Sequence, residues 1–246
     1  MYPSGSRRNH TNGDPKSLSF ESFLEAWLVR QKRYLEELLS AQHSSCEVRQ
    51  DDHLELIHRV LYHYQQYYEE KSRVANWDVF LVFSPPWLTN LERALLWIAG
   101  FRPNLLFRLV SSSVNDMTED QSRRMDRLVA ETRMEEKALN DELAKIQERV
   151  GAPPLANAIR RYGRTAQDGE TADGSGDDSA LGGLRKALEK VVANADMLRA
   201  TTGEKVALVL TPPQMVKVLA AVAQLQLKVR GLGLQRDAEK GQNGGN

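Results

Sequence analysis

The chain has 246 residues, 41 % of them hydrophobic and 27 % charged, and its 33 Lys and Arg side chains balance 33 Asp and Glu. This composition supports a folded core and excludes a wholly disordered chain. The balance of charges also argues against direct binding to duplex DNA, because proteins that bind DNA draw most of their affinity from a basic field facing the phosphates.

The single cysteine and the hydropathy pattern bear on where the protein resides. Cys46 has no second cysteine with which to form an intramolecular disulfide, so nothing indicates an oxidising compartment. Residues 1–16 lack the apolar stretch of a secretory signal, and no run of about 18 apolar residues that could span a membrane is present. We therefore expect a protein of the nucleus and cytoplasm without membrane association.

The chain is predicted to begin with a disordered arm, residues 1–17, followed by an amphipathic helix that starts near Phe20. Ser19 is suited to cap this helix. Apolar residues then recur at helical spacing and form one broad face. They are Phe20, Phe23, Leu24, Trp27, Leu28, Leu35, Leu38 and Leu39. A polar connector, residues 42–52, leads to the second helix.

The second predicted helix has an apolar seam in which spacings of three and four residues alternate. Its members are Leu54, Ile57, Leu61, Tyr64 and Tyr68. Such a seam is typical of a helix that packs against another helix at a shallow crossing angle.

Residues 76–88 interrupt the helical pattern, and Pro85 and Pro86 predict an ordered, non-helical connector. The apolar run over residues 79–83 is expected to enter the core. A third helix is predicted from about Thr89 to Gly100, and another short helix follows it.

The second half of the chain begins with a long charged helix, predicted from Thr118 to about Val150, with Gln121 placed to complete a capping box. Residues 163–183 are rich in Gly, Thr, Asp, Glu and Ser and predict a disordered acidic linker before the C-terminal helices.

Three further helical segments are expected, over residues 184–198, 204–210 and 214–232. Residues 236–246 are polar and are expected to form a mobile tail. No alternation typical of strands persists anywhere. The predicted fold is therefore an all-α helical bundle over residues 18–235.

The sequence has no arrangement typical of a catalytic or metal site. It has no glycine-rich phosphate loop and no Cys or His pair at zinc spacing. His53, His58 and His63 recur every five residues, which places neighbours about 140° apart around a helix, so they cannot share a metal ion. We predict neither enzymatic activity nor a metal site.

The most informative part of the chain is residues 85–103, called the signature segment below. It combines two Trp residues, an apolar helix, Gly100 as a helix stop and Pro103 as a helix start. Trp97 beside Ile98 gives apolar bulk on more than one face, so the third helix is expected to lie centrally in the bundle.

Arg102 lies between two predicted helices of this segment. At that place it can donate hydrogen bonds to the free carbonyls where the third helix ends. The alternatives are that Arg102 pairs with Glu92 or binds an acidic ligand.

The signature segment resembles the hallmark of the delay-of-germination domain family of plants, which has an aromatic residue, Leu-Glu, an apolar helix with Trp, and Gly-aromatic-Arg-Pro. The matching positions are Trp87, Leu91, Glu92, Trp97, Gly100, Arg102 and Pro103. The Phe-rich first helix and the Ala-Asp-Met-Leu-Arg motif at 195–199 also match, so the resemblance covers about residues 20–235. It implies a non-enzymatic regulatory protein in seed dormancy, abscisic-acid signalling, or developmental and transcriptional control.

The resemblance also implies protein partners. Stand-alone members bind clade A protein phosphatases 2C, and the first helix is implicated; the matching residues are Phe23, Glu25 and Trp27, with an inserted Ala26 that departs from the family pattern. The domain also occurs in TGA-type bZIP transcription factors, C-terminal to the basic leucine zipper. The alternative function is therefore a transcription regulator that binds DNA directly or acts as a cofactor of TGA-type bZIP factors.

Some relatives bind haem through two His residues on the last helix. The matching positions here are Gln226 and Arg230. Neither is a usual haem ligand, so the resemblance predicts no haem in this chain, and no other cofactor is expected.

The role of the aromatic face of the first helix stays open at this point. Phe23 and Trp27 lie four residues apart, on one face, and follow the predicted arm. Exposed aromatic residues often dominate the energy of an interface, so this face suits a docking helix. The alternative is that these side chains belong to the core.

Overall fold

The structure, a computed structural model, describes residues 15–43, 50–150 and 175–243 and confirms the all-α fold. The helices in these residues are α1 (Pro15–His43), α2 (Gln50–Trp77), α3 (Val79–Phe83), α4 (Asn90–Ala94), α5 (Asn104–Ser113), α6 (Glu119–Val150), α7 (Ser175–Val209) and α8 (Pro212–Asn243). The described residues contain no strand and no helix that is both long and apolar enough to cross a membrane.

The helix α8 lies at the centre of the bundle, where it packs against α1, α2, α4 and α5, while α6 packs along α7. Two apolar clusters form the core. One joins the start of α1 to α3, the signature segment and α7, and it contains Phe20 and Trp27. The other joins the end of α1 to α2, α5 and α8, and it contains Leu38 and Val60.

The first two helices begin earlier than the sequence predicted. Helix α1 starts at Pro15, inside the predicted arm, and residues 1–14 of that arm lie outside the described residues. Helix α2 starts at Gln50, inside the predicted connector, because Asp51 and Asp52 favour the positive end of the helix dipole. Residues 44–49, with Cys46, also lie outside the described residues.

The predicted seam on α2 is not the face that packs most closely. Ile57 is buried, but Leu54 is 39 % exposed, and the other three members are half-buried. The buried face lies about one residue further around the helix, and it includes His63 and Lys71. Polar residues on the buried face hid it from a pattern based on hydrophobicity.

The connector predicted over residues 76–88 is wrong in its first half, because α2 continues to Trp77 and α3 follows at once. Asp78 caps α3, and its Oδ1 accepts a hydrogen bond from the backbone N of Phe80 at 2.9 Å. Val79 and Val82 are buried, which confirms that this run enters the core.

The third helix is much shorter than predicted, and Trp97 does not lie on it. Helix α4 ends at Ala94. Ile98 and Ala99 follow with φ angles of 43° and 58°, values that cannot continue a right-handed helix. The expected central Trp helix is therefore replaced by a short helix and a reverse turn.

The capping box predicted for the long helix is confirmed. Gln121 N donates to Thr118 Oγ1 at 3.2 Å, and Thr118 N donates to Gln121 Oε1 at 2.9 Å. Helix α7 runs without a break through Gly203, although two pieces were expected, because its contacts with α6 support it along its length. Residues 175–183 of the predicted linker are helical, and residues 163–174 lie outside the described residues.

The last helix continues through residue 243, beyond the predicted helix end at Leu232 and into the predicted tail. Asp237 accepts hydrogen bonds from the backbone N of Asn90 at 3.1 Å and from its side-chain Nδ2 at 2.8 Å. This contact with α4 stabilises a helix end that the local sequence does not predict.

Candidate interaction site

The signature segment contains a tight reverse turn from Trp97 to Gly100. The backbone N of Trp97 donates to the carbonyl of Gly100 at 2.6 Å, and the backbone N of Gly100 donates back to the carbonyl of Trp97 at 3.2 Å. The two central residues, Ile98 and Ala99, both have positive φ and are buried. Because left-handed backbone is strained for residues with a Cβ, contacts outside the turn must hold it.

The guanidinium group of Arg199, on α7, supplies those contacts. Its Nε donates to the carbonyl of Phe101 at 2.7 Å, and its Nη2 donates to the carbonyls of Ile98, at 2.9 Å, and of Trp97. A Cβ at Gly100 would lie 2.7 Å from Arg199 Cζ, so glycine is required for this close approach. The Ala-Asp-Met-Leu-Arg motif and the signature segment therefore form one structural unit.

Two further charges complete this unit, which we call the Arg199 latch: Arg199, Asp196 and Lys71. Asp196 Oδ1 accepts from Lys71 Nζ at 2.7 Å and from Arg199 Nη1. The side chains of Lys71 and Arg199 are only 3 % and 5 % exposed. Burial lowers the pKa of Lys71 to about 8, although the neighbouring Asp196 carboxylate opposes the shift.

Arg102 does not bond the carbonyls after the third helix, as was expected, because Arg199 occupies that position. Arg102 Nε instead donates to Glu136 Oε2, on α6, at 2.7 Å, and the backbone N of Asn104 donates to Glu136 Oε1 at 2.7 Å. Glu136 is fully buried. Glu136 thus holds both the Arg102 side chain and the start of α5 in place. The alternative pairing of Arg102 with Glu92 is also wrong.

Glu92 has its own partners at the other end of the segment. It forms a capping box with Thr89, and its Oε2 accepts from Arg230 Nη1 at 2.9 Å. Arg230 also donates to the carbonyl of Trp87 at 2.8 Å. Trp87 is buried against Phe20, with their ring centroids 4.5 Å apart.

The remaining signature residues also have structural positions. Leu91 is half-buried on α4, and Pro103 is buried immediately before α5. Trp97 is half-buried and donates from Nε1 to Asn140 Oδ1 at 2.8 Å. The residues by which the family is recognised therefore hold the bundle together.

The three predicted partner-binding residues of α1 have different environments. Glu25 is exposed, Phe23 is half-buried against Phe20, and Trp27 is fully buried. Trp27 stacks on His63 with ring centroids 4.3 Å apart and donates from Nε1 to the carbonyl of His63 at 2.8 Å. A partner cannot reach Trp27 in this structure, so it belongs to the core.

His63 is buried with Trp27, and both of its ring nitrogens lie without a hydrogen-bond partner. Burial, and to a lesser extent the charge of Arg30, lower the pKa of His63 to about 4. The imidazole is therefore neutral at physiological pH and acts as an aromatic core residue.

The two positions that some relatives use for haem are occupied by hydrogen-bonded side chains. Gln226 Oε1 accepts from Gln31 Nε2 at 3.0 Å and lies 3.5 Å from the Tyr64 hydroxyl, which donates to it. Arg230 is bonded to Trp87 and Glu92, as described above. These side chains do not fit haem ligation. Nor do the described residues contain a group of three or more His, Cys, Asp or Glu suited to a metal ion.

The feature that the sequence did not reveal is a cavity of about 1110 Å³ between α2 and α5, floored by α7 and α8, which we call the α2–α5 groove. Its walls include Leu61, Tyr64, Tyr68, Leu105, Leu106 and Leu109. Tyr62 and Met197 lie at its edge and are 58 % and 65 % exposed. The seam on α2 was the signal, but it was interpreted as a contact between helices.

Comparison with known proteins agrees with the motifs. A family model described as seed dormancy control matches residues 34–112. Protein ZW2 of Arabidopsis thaliana is 37 % identical over 221 residues, which cover 89 % of this chain and 97 % of the relative. Protein RESPONSE TO ABA AND SALT 1 of the same plant is 35 % identical over 230 residues, covering 91 % and 97 %.

TGA-type factors are more distant relatives. Transcription factor TGA2.3 of Oryza sativa subsp. japonica is 28 % identical over 226 residues, which cover 92 % of this chain and 67 % of the factor. The stand-alone relatives, in contrast, match this chain over nearly the whole length of both proteins. The chain therefore belongs to the delay-of-germination family of plant regulatory proteins.

Proposed function

We propose that this chain is a non-enzymatic regulator that acts by binding other proteins in abscisic-acid signalling, seed dormancy or related developmental control. Two likenesses support the biological setting: a relative named for its response to abscisic acid and salt, and a family model described as seed dormancy control. The structural observation that carries the proposal is the α2–α5 groove, whose exposed Tyr62 and Met197 are residue types enriched at protein interfaces.

In the nucleus, the proposed role is that of a cofactor for TGA-type bZIP factors, without direct reading of DNA by this chain. The chain matches about two thirds of the length of these factors. Its 33 basic and 33 acidic side chains give no net charge with which to displace counterions from DNA. The competing function is a regulator that binds DNA directly.

A gel-shift titration at physiological salt separates these two functions. The duplex is one bound by a TGA-type factor, and the full chain is added alone or together with that factor. We expect no sequence-selective shift by the chain alone and a further retardation of the complex between factor and DNA. Selective binding by the chain alone, with a steep salt dependence, would support direct DNA binding instead.

For clade A protein phosphatases 2C, we propose a docking surface on α1 that is smaller than the sequence indicated. It includes the exposed Glu25 and the accessible edge of Phe23, but not the buried Trp27. In a pull-down, Glu25→Lys should weaken phosphatase binding. Glu36→Lys, at another exposed Glu of α1, is the matched control, and an equal loss in both variants would contradict a local site.

We also propose that the chain binds no haem. Gln226 and Arg230 are held by hydrogen bonds to Gln31, Glu92 and the Trp87 carbonyl, and neither side chain is a usual ligand of haem iron. Titration with haemin should give no Soret band of bis-histidine type. The double variant Gln226→His/Arg230→His serves as the positive comparison.

A further inference from the structure

A second cleft, with a volume of about 330 Å³, lies between α6 and the C-terminal end of α7. It shares no lining residue with the α2–α5 groove. Three cationic side chains line this cleft but only one carboxylate does. The lining includes Arg124, Arg127, Leu128, Glu131, Lys205 and Leu208. We call this surface the α6–α7 cleft.

Hydrogen bonds hold the two walls of the cleft together. Gln121 Nε2 donates to the carbonyl of Val209 at 2.9 Å, and Arg124 Nη2 donates to the carbonyl of Leu208 at 3.1 Å. The last carbonyls of a helix have no partner within that helix, so these donors from α6 satisfy the end of α7. The cleft is therefore formed by two helices that are bonded to each other.

Capping of α7 leaves most of the guanidinium donors in the cleft unused. Arg124 donates to the end of α7 from Nη2 alone, and Arg127 donates from Nε to the carbonyl of Arg123, on its own helix, at 3.4 Å. The terminal amino groups of Arg127 have no partner among the described residues. Lys205 pairs with Glu131 at 3.4 Å, and their charges offset each other. The cleft thus retains the charge of two exposed arginines.

The spacing of these two arginines suits one anion with several oxygens. Arg124 and Arg127 are three residues apart on α6, so their Cβ atoms lie about 5–6 Å apart on one face. Each guanidinium group can present two parallel N–H donors to an anion. A phosphoserine has a charge of about −2 at neutral pH and three acceptor oxygens. It therefore matches the pair better than a carboxylate, which has half that charge and two oxygens.

The cleft also has an apolar part. Leu208 is 76 % exposed, more than any other large hydrophobic residue in the described part of the chain, and Leu128 in the same cleft is half-buried. An apolar side chain of a ligand would remove both from water. The volume lies near the lower end of the range of about 300–1,000 Å³ for binding sites, so the cleft suits one or two side chains.

Negative charges around the cleft disfavour an extended polyanion such as DNA. Glu119 and Asp120 pair with Arg123 on the first turns of α6, and Glu131 lies on the other side of the two free arginines. Binding to duplex DNA needs a basic field that meets several phosphates at once. One phosphate beside an apolar residue, as in a phosphorylated peptide, avoids these carboxylates.

We propose that the α6–α7 cleft binds a phosphorylated segment of a partner protein, with the phosphate between Arg124 and Arg127 and an apolar side chain against Leu208. This inference goes beyond the proposed function, since it assigns a second binding surface and makes its use depend on phosphorylation of the partner. It follows the recognition of phosphorylated motifs by clusters of arginine.

The test uses labelled peptides and the full chain. The probe is an Ala-rich peptide of nine residues with phosphoserine at its centre and Leu two residues to either side. Two further peptides differ only at the centre, where they have Ser or Glu. Fluorescence anisotropy should show saturable binding of the phosphopeptide, binding of the Glu peptide that is at least about tenfold weaker, and none of the Ser peptide.

The variants locate the binding. Arg124→Gln/Arg127→Gln should weaken the phosphopeptide at least about tenfold. The matched control Arg133→Gln/Lys137→Gln removes two exposed cations from the same helix outside the cleft and should change the affinity by less than about twofold at physiological salt. Leu208→Ser should weaken the phosphopeptide but not an analogue with Gly at both Leu positions. Thermal unfolding confirms that each variant is folded.

Four outcomes would overturn the inference. Absence of phosphopeptide binding, or equal binding of the Ser peptide, would show that the cleft does not recognise phosphate. Equal losses in the two double variants would indicate a general attraction to a charged helix. Binding of duplex DNA that displaces the phosphopeptide and is lost in Arg124→Gln/Arg127→Gln would assign the cleft to nucleic acid. If the phosphopeptide fails while the chain still retards the complex of TGA-type factor and DNA, the cleft inference fails and the proposed function stands.

Discussion

The two faces of α2 have the same aromatic character but different surroundings. One face, with His63 and Val60, is buried against α1 and the core; the other, with Leu61, Tyr64 and Tyr68, lines the groove. The covered face includes the polar residues His63 and Lys71, whereas the groove face has the cleaner apolar pattern. Hydrophobic periodicity therefore identified the wall of the groove, whereas the more closely packed face includes polar residues.

The largest expected effect tests the covered face at Trp27. Trp27→Ala should lower the free energy of unfolding by about 3–5 kcal/mol. Trp27 has no exposed surface, so its truncation leaves a cavity against His63 and Tyr67. Urea denaturation followed by circular dichroism measures the change. Glu25→Ala, on the exposed side of the same helix, should change it by less than about 0.5 kcal/mol.

A nearly unchanged unfolding midpoint for Trp27→Ala would reverse this assignment. It would mean that Trp27 is accessible in solution and would restore the whole aromatic face of α1 as a docking surface. The stability of the variant therefore decides between core and interface before any partner is known.

The next effect tests the Arg199 latch, which closes the groove at the signature end. Arg199→Met should destabilise the chain by about 3 kcal/mol, because it removes the donors to three carbonyls and one partner of the half-buried Asp196 carboxylate. Arg124→Met is the matched control. Arg124 is exposed and donates to the carbonyl of Leu208 at 3.1 Å, so its loss should have an effect of about 0.5 kcal/mol or less.

Trp97 fluorescence offers a second observation on the latch. The guanidinium Cζ of Arg199 lies 5.3 Å from the centre of the Trp97 ring, so Arg199→Met should also change the emission of the folded chain. Equal stability losses in the two Arg variants would show that the turn is held by its own hydrogen bonds.

A smaller effect on the covered face depends on pH. The pKa of His63 is about 4 in the folded chain and about 6.5 when unfolded. Below pH 6.5 the unfolded chain binds a proton that the folded chain does not, so the contribution of His63 to stability is lost as the pH falls from 6.5 towards 4. At pH 5 this loss amounts to about 2 kcal/mol relative to pH 7.5.

The measurement is a comparison of the wild type with His63→Phe, which retains an aromatic ring against Trp27. Carboxylates and other His residues titrate in both proteins and cancel in the difference. The variant should lose about 2 kcal/mol less stability than the wild type between pH 7.5 and pH 5. Parallel pH profiles for the two proteins would mean that His63 is not buried.

The smallest effect is expected on the groove face. Tyr62→Ser removes a side chain that is 58 % exposed and should change the unfolding free energy by less than about 0.5 kcal/mol. A loss above about 1.5 kcal/mol would show that the groove edge is packed in solution. Trp27→Ala, measured in the same denaturation series, gives the comparison. Trp27 packs on the covered face of α2, whereas Tyr62 lies at the groove edge.

Local signals of the sequence predicted much of this fold. The periodicity of α1 and the capping box of α6 correspond to observed elements, and the ordered motifs of the signature segment identified the family. The role of the first helix in binding a partner stays a prediction. Phe23 and Glu25 remain accessible to different degrees, but Trp27 does not.

What the sequence could not predict are contacts between distant residues. Nothing near Arg199 indicates that it binds the carbonyls of a turn about 100 positions earlier, and nothing near Glu136 indicates that it caps α5. Each of these side chains has an ordinary place on a charged helix surface when its own helix is considered alone. Their burial arises only when α6 and α7 pack against the signature segment.

The sequence by itself determined the helical character, the capped start of α6 and the family, because each of these depends on residues close together in the chain or on an ordered set of motifs. Only the tertiary structure decided which face of α2 is core, which Arg holds the turn at Trp97, and that a groove remains between α2 and α5. Burial is a property of the neighbours that packing supplies, and a helix with two aromatic faces has the same local pattern whichever face is covered.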